Sequence, residues 1–383
     1  MTEEQVNQLI DQTTDFPRLS PIAAQIATMT SDLSAPIQEV ADKIKSDEEL
    51  LKKILKVVNT PLYQFADGVE DISDVINILG YKKVCNLALG ISVLSMFPTE
   101  SHGGFDYGRH WERAICAGVA ASEIASRLTA DLPADLFTSG LLQDIGVLFL
   151  VKARPLEFGG AITLAKAQKV HVSKAEREVL GVDHARVGSV LCKNWELPSL
   201  LIEVIRHHHF AELEEPVPDG TKQVIQAVNL SSLMMELMFD PDGDEKREAL
   251  DARANAFFNF GPKMVDAILA KILGPASKIG EAFSVKIDDG TSAPKAAEKA
   301  PLPENVVCSE CGAENQSGKF CSECGKPLGP KKPERKRDTR KVLIVEDSIA
   351  SRRALSFVVK KLGYIPVEAT NGYEAVELAL KDP

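Results

Sequence analysis

No unbroken apolar run in this sequence is long enough to cross a membrane. Unbroken runs such as Ile145 to Val151, with Gly146 inside it, fall far short of the ~18 residues a spanning helix needs. Positive charge is scarce as well. Lys and Arg number 44 against 55 Asp and Glu, a net charge of -11. Such a chain lacks the positive field that non-specific nucleic-acid binding or attraction to an anionic membrane requires. The opening residues, Met-Thr-Glu-Glu-Gln, carry neither the basic nor the apolar part of a secretory signal. Of the seven cysteines, four fall between Cys308 and Cys324, which argues against a disulfide scaffold and for a metal site in a reducing compartment. The expectation is a cytoplasmic protein with neither a membrane nor a nucleic-acid partner. At about 150 residues per domain, 383 residues make two or three domains.

What is present, over residues 1–285, is helix after helix. Ser46-Asp-Glu-Glu49 reads as a capping box, with Leu50, Leu51, Ile54, Leu55 and Val58 following at helical spacing until Asn59-Thr60-Pro61. Ser73 reads as the cap of a second run, Val75, Ile76 and Leu79, which stops at Gly80. From His110 to Leu128 the small residues Ala114, Ala117, Gly118, Ala121 and Ser122 leave room for a partner helix to approach closely. No period-2 alternation of useful length occurs here, so the region reads as all-α.

Composition shifts after Lys286. Residues 286–305, rich in Ala, Pro, Lys and Glu, read as a linker. A cysteine module fills 306–328. A basic linker over 329–340 sets Lys331, Lys332, Arg335, Lys336, Arg337 and Arg340 against Glu334 and Asp338, a solvated, self-repelling run. From Lys341 the pattern changes again. Val342-Leu-Ile-Val345 is the continuous apolar run of a buried parallel strand; a helix to about Leu362, a strand at Tyr364–Ala369 and a helix from Gly372 follow. Two such β-α units cannot cover both faces of a doubly wound sheet, so 341–383 reads as half of an α/β domain.

Cys308-Ser-Glu-Cys311-Gly and Cys321-Ser-Glu-Cys324-Gly are two near-identical knuckles. Each brings two thiolates to one point, and four thiolates in tetrahedral array suit Zn²⁺ at ~2.3 Å, with no position left for a substrate water. The module has too few apolar residues for a core, so metal binding would drive its folding. It resembles the short zinc ribbons of bacterial and archaeal proteins, in which such zinc is structural.

Val342-Leu-Ile-Val-Glu346-Asp347-Ser348, with Asn371-Gly372 and Glu374-Ala-Val beyond, resembles the start of a response-regulator receiver domain. The resemblance implies that Glu346 and Asp347 hold Mg²⁺ and that a histidine kinase is the partner of a complete receiver. It also places the phospho-accepting aspartate about 45 residues past the acid pair, so no phospho-acceptor falls within this chain.

Phe16-Pro-Arg-Leu-Ser-Pro, Val58-Asn-Thr-Pro-Leu-Tyr63, Gly140-Leu-Leu-Gln-Asp-Ile-Gly146, Gly181-Val-Asp-His184-Ala-Arg-Val-Gly188, Trp195-Glu-Leu-Pro198 and Ile205-Arg-His-His-His209 occur in order. Together they resemble the HDOD domain, with a core at about 15–212. HDOD domains are relatives of the HD metal-dependent phosphohydrolases and occur in bacterial signalling proteins, often beside receivers. An HD enzyme needs imidazoles and a carboxylate converging on one or two metals that activate water. The resemblance aligns its expected ligands with Arg113, Gln143 and Asn229, none of which replaces an imidazole or carboxylate, while Asp144, His184, His208 and His209 remain. These four are expected to be a vestigial HD site, hydrogen-bonded inside a cleft. His110, one turn before Arg113, is a weak substitute. Three consecutive histidines point about 100° apart, so at most two serve one site. Trp111 and Trp195 read as core anchors, and Asp240-Pro-Asp-Gly-Asp244 reads as a loop, because Glu245 stands where a calcium loop needs Gly.

The whole therefore reads as mainly α: an HDOD domain, a small zinc ribbon and an incomplete doubly wound receiver. The expected function is non-catalytic signal transduction, with the HDOD domain as a protein- or ligand-binding output module coupled to a phosphorelay receiver. The alternative is a metal-dependent phosphohydrolase acting on nucleotides or cyclic dinucleotides.

Overall fold

The computed structural model describes all residues except 15, 32–36, 64, 66–67, 101–104, 129–131, 133–135, 210–218, 240–243, 289–304, 308–313, 317–340, 347, 362–364, 372–373, 376–377 and 379–383. The chain divides into two compact units, Met1–Asp289 and Gly290–Pro383.

The elements of the first unit, among its described residues, are all helices. They are α1 (Glu3–Gln12), α2 (Pro21–Ser31), α3 (Ile37–Lys45), α4 (Glu48–Val58), α5 (Ile72–Leu79), α6 (Tyr81–Ser95), α7 (Tyr107–Ala125), α8 (Leu136–Leu142) and α9 (Ile145–Ala153). Then come α10 (Pro155–Gln168), α11 (Val172–Leu180), α12 (His184–Asn194), α13 (Ser199–His207), α14 (Asp219–Phe239), α15 (Asp244–Phe258), α16 (Pro262–Leu269) and α17 (Leu273–Phe283).

Two helix starts differ from the sequence reading. Asp47, not Ser46, caps α4: its carboxylate accepts from the Leu50 N–H at 3.0 Å, while the Ser46 hydroxyl turns back to donate to Lys43 O at 2.6 Å and closes α3. Asp71, not Ser73, caps α5, accepting from the Ser73 N–H at 2.8 Å. In both cases a carboxylate within two residues of the serine reaches the orphan amide, and a charged acceptor makes the stronger bond. Gly80 ends α5 as expected, with a φ of 84° that a side chain would resist, and the chain re-enters a helix at once as α6.

α7 runs through the core, its Trp111 wholly buried. The small-residue stretch does admit a partner: a Cβ on Gly118 would lie 2.6 Å from Phe137 O of α8, and one on Gly140 would lie 2.7 Å from Ala117 O. The apolar stretch Leu136–Ala153 is long and apolar enough by composition to span a membrane, but 72% of it is buried inside the bundle. A turn at Gln143-Asp144 divides it into α8 and α9. Trp195 is half-buried and stacks on Phe16, with ring centroids 6.2 Å apart.

In the second unit, β1 (Asn305–Val307) pairs antiparallel with β2 (Glu314–Gln316). β3 (Lys341–Val345), α18 (Ile349–Lys361) and β4 (Ile365–Ala369) form a β-α-β unit, with the strands parallel and Lys341 opposite Ile365. The strand is not buried as the apolar run implied. Ile344 faces inward, but Leu343, Val345 and Ile365 remain exposed, because the described residues supply β3 with one neighbouring strand and one helix. The helix expected from Gly372 lies largely outside the described residues. At its start the Glu374 N–H donates to Asn371 Oδ1 at 2.9 Å and the Glu374 carboxylate accepts from the Thr370 N–H at 2.7 Å.

Candidate metal centre

Three helix ends meet in the first unit. Asp144 sits in the turn that opens α9, His184 is the first residue of α12, and His208 and His209 follow α13. Glycine makes the meeting of α9 and α12 close: a Cβ on Gly146 would fall 2.0 Å from His184 O, and one on Gly188 would fall 3.1 Å from Gly146 N. Asn229 of α14 donates to His208 O at 2.8 Å, which fixes the turn after α13.

His184 Nε2 and His208 Nε2 each lie 3.2 Å from Asp144 Oδ1, and His209 Nε2 lies 2.6 Å from His184 Nε2. One donor atom from each of the four residues falls within 4.8 Å of every other. His207 points elsewhere, to Glu203 at 3.4 Å. Two of the three consecutive histidines therefore serve the site.

Each ring is oriented from outside. Glu176 Oε2 accepts from His184 Nδ1 at 2.6 Å and from the His184 backbone N–H at 2.9 Å; Ile205 O accepts from His208 Nδ1 at 2.7 Å. With protons on these Nδ1 atoms, the Nε2 lone pairs of both rings face inward, toward a carboxylate and another imidazole. Lone pairs at such separations repel unless a proton or a cation lies among them. Burial opposes charge on His184, yet the Glu176 and Asp144 carboxylates overcome it and push this imidazole up to about 10. Against the same burial, its hydrogen bonds with His184 and His208 hold Asp144 well below the usual carboxylate range. Burial, with the neighbouring histidines adding to it, holds His209 well below the usual imidazole range.

The residues fit a divalent transition-metal ion. Ligands at ~2.1 Å in tetrahedral array stand about 3.4 Å apart, and outer carboxylate and carbonyl partners on the far ring nitrogens are what metal-binding imidazoles need.

Around this group lies a wider polar shell. His171 Nε2 is 3.3 Å from Glu236 Oε1, and the His171 ring lies against that of His209, centroids 4.3 Å apart. Gln143 is wholly buried, its amide 3.5 Å from Asp144 Oδ2 and its Oε1 without a partner. His110 and Arg113 lie one turn apart on α7; burial pushes His110 down to about 4, with the Arg113 charge adding and Asp144 opposing. His110 is not one of the four donors; Gln143 and Asn229 offer only amides, and the Arg113 guanidinium repels a cation.

Glu176, His171 and Glu236 were not legible as site residues. Glu176 lies eight positions before His184 on a polar helix, where an acid reads as solvated; only the return of the chain through Gly181 makes it buried. The other predicted positions fall in the second unit. Cys308, Cys311, Cys321 and Cys324 lie outside the described residues, as does Asp347. Glu346 is described, and its carboxylate accepts from the Ser348 N–H at 3.1 Å.

Residues 16–211, just over half of the chain, match the HDOD domain family. The chain belongs to the HDOD family. Solved structures share the HDOD fold seen here. An HDOD domain protein of unknown function from Geobacter sulfurreducens aligns with TM-score 0.57 and 21% identity, over 73% of this chain and 97% of that one. A candidate phosphohydrolase from Shewanella amazonensis SB2B gives 0.56 and 22%, over 72% and 97%. A candidate signal transduction protein from Marinobacter aquaeolei VT8 gives 0.53 and 18%, over 74% and 66%. Among curated proteins, an uncharacterised protein of Treponema pallidum (strain Nichols) is 22% identical over 252 residues, 65% of this chain; the match spans 47% of that protein's length.

Proposed function

We propose that this HDOD protein is a signal-transduction protein whose helical domain is a binding module rather than a hydrolase, with one divalent cation bracing its cleft. The observation that carries this reading is the group of Asp144, His184, His208 and His209, whose four donor atoms lie close enough together to hold one ion and would fill a tetrahedral sphere. The positions of Arg113, Gln143 and Asn229, where the HD resemblance expects further ligands, add none. A guanidinium repels a cation, an amide is a weak donor, and Asn229 already spends its amide on His208 O. When bound, the ion supplies a fixed positive charge that replaces the shared proton among the imidazoles. His184 and His208 hold their rings through Glu176 and Ile205, and Asp144 balances the charge.

The second unit belongs to the same reading. The cysteine pairs are proposed to hold structural zinc. The parallel β-α-β unit supports a receiver-like end in which Glu346 and Asp347 take Mg²⁺, phosphorylated in complete form by a histidine kinase. Phosphorylation would then alter how the helical domain meets a signalling partner.

One observation favours a second reading. A carboxylate-oriented imidazole beside an aspartate is also what a metal-dependent phosphohydrolase uses to hold its ion. Turnover separates the two, because a phosphohydrolase of this kind works with one ion or two. Mn²⁺ binding that is lost in Asp144→Ala, with phosphodiester turnover at background in both proteins, supports the binding module; metal-dependent turnover that is lost in Asp144→Ala would favour the phosphohydrolase.

A further inference from the structure

The supports of the metal centre arrive on a part of the fold that owns little of the main core. α10 and α11 pack chiefly on each other. Phe158 and Ile162, early in α10, and Leu180, at the end of α11, reach the main core. The turn end of this hairpin rests instead on a separate cluster, Ala161, Ala165 and Ala175 with Leu164, Val170, Val172 and Val179 packed around them. Alanine methyls bury little. They contribute far less than the Ile, Leu and Phe side chains that pin neighbouring helices.

Polar ties replace what that core lacks, and they converge on the metal centre. His171, in the turn, reaches Glu236 of α14 at 3.3 Å and lays its ring against His209. The backbone N–H of Ser173 donates to His171 Nδ1 at 3.2 Å, so the His171 proton sits on Nε2 and points at Glu236. Glu176 is wholly buried, and its Oε2 takes both bonds from His184 while its Oε1 has no partner. A buried carboxylate with one idle oxygen is tolerated only while the other is firmly paired. Arg177 pairs with Asp183, the cap of α12.

We propose that the α10–α11 hairpin is an arm seated by the metal centre: Glu176 and His171 are positioning residues for His184 and His209, and a divalent cation in the site locks the turn end of the hairpin onto the bundle. The inference rests on the single-ion reading above. A bound cation fixes His184 with its Nδ1–H toward Glu176, which holds α11 in place. An arm held in place pre-orients His184 in turn, so occupancy and arm order rise together.

Hydrogen exchange of the full chain by mass spectrometry, in chelator and in saturating Mn²⁺, tests this. Mn²⁺ is the probe because thiolates favour other metals, so the cysteine module does not respond. Amides of residues 164–176 should exchange at least about tenfold more slowly with Mn²⁺, and those of 111–121 in α7 should not change. Glu176→Gln should weaken Mn²⁺ binding about 10–100-fold. Leu164→Ala, which loosens only the hairpin's own cluster, should weaken it as well, by reciprocity. If Mn²⁺ binds the native chain but leaves exchange over 164–176 unchanged, or if Leu164→Ala binds it natively, the arm is overturned and the single-ion reading stands. If the native chain binds no Mn²⁺, both fall.

Discussion

His110 shows what the cleft does to a single side chain. Burial, aided by Arg113 and opposed by Asp144, takes its pKa down to about 4 from 6.5. As pH falls through that window the unfolded chain takes up the proton first. The stabilisation is therefore whole above pH 6.5 and is lost on the way down to 4. Replacing His110 with Gln removes the titrating group. Urea unfolding of metal-free protein should then show a shallower loss of stability over this interval, by on the order of 2 kcal/mol. Equal slopes for both proteins would mean that His110 charges freely in the fold. At this scale the sequence was a good guide to which polar side chains meet in the cleft and a poor one to what supports them. Asp144, His184, His208 and His209 stood out by residue type and motif. Glu176 did not, because its burial depends on where α11 lies.

Caps and crossings decide matters at the scale of the helix. The beginning of α4 was legible to within one residue and that of α5 to within two. Ser and Asp both suit a cap, and pattern alone does not say which one meets the amide. Asp47→Ala should cost about 1 kcal/mol and Ser46→Ala much less; chemical denaturation of the two variants checks the assignment, and the reverse order would restore the serine cap. The α9–α12 crossing is tighter still. A methyl on Gly146 would sit 2.0 Å from His184 O, a backbone atom that cannot step aside. Gly146→Ala should therefore destabilise by about 3 kcal/mol and spread the metal ligands. A native melting curve and native Mn²⁺ affinity in that variant would show that the two helices are not in contact there.

Across the whole molecule, the helical architecture of the first unit followed from apolar periodicity, since each stripe needs a neighbour to bury it. The break at Gln143-Asp144 shows the same logic at the centre of the core, where an apolar stretch turns to aim a carboxylate into the cleft. The second unit was legible as a β-α-β order and parallel pairing, but burial was not, because it depends on neighbours that a strand's own residues do not specify. Leu343, Val345 and Ile365 stay exposed, so amides 342–345 and 365–369 should exchange quickly while the helices of Met1–Asp289 are protected. Slow exchange in 342–345 in a monomer would show that another surface covers β3. For the cysteine module, reduced protein should carry one zinc per chain, and Cys321→Ser should release it without altering the helical signal of the first unit. No zinc in reduced protein would remove the ribbon from the account.

That the HDOD cleft binds without hydrolysing is the proposal on which the rest depends. Its most direct test is phosphodiester turnover by the full chain with Mn²⁺ supplied, measured on cyclic dinucleotides beside Asp144→Ala. Equal, background rates in the two proteins are the predicted result. Metal-dependent turnover in the native chain that disappears in Asp144→Ala would contradict it and make the four-donor centre a catalytic one.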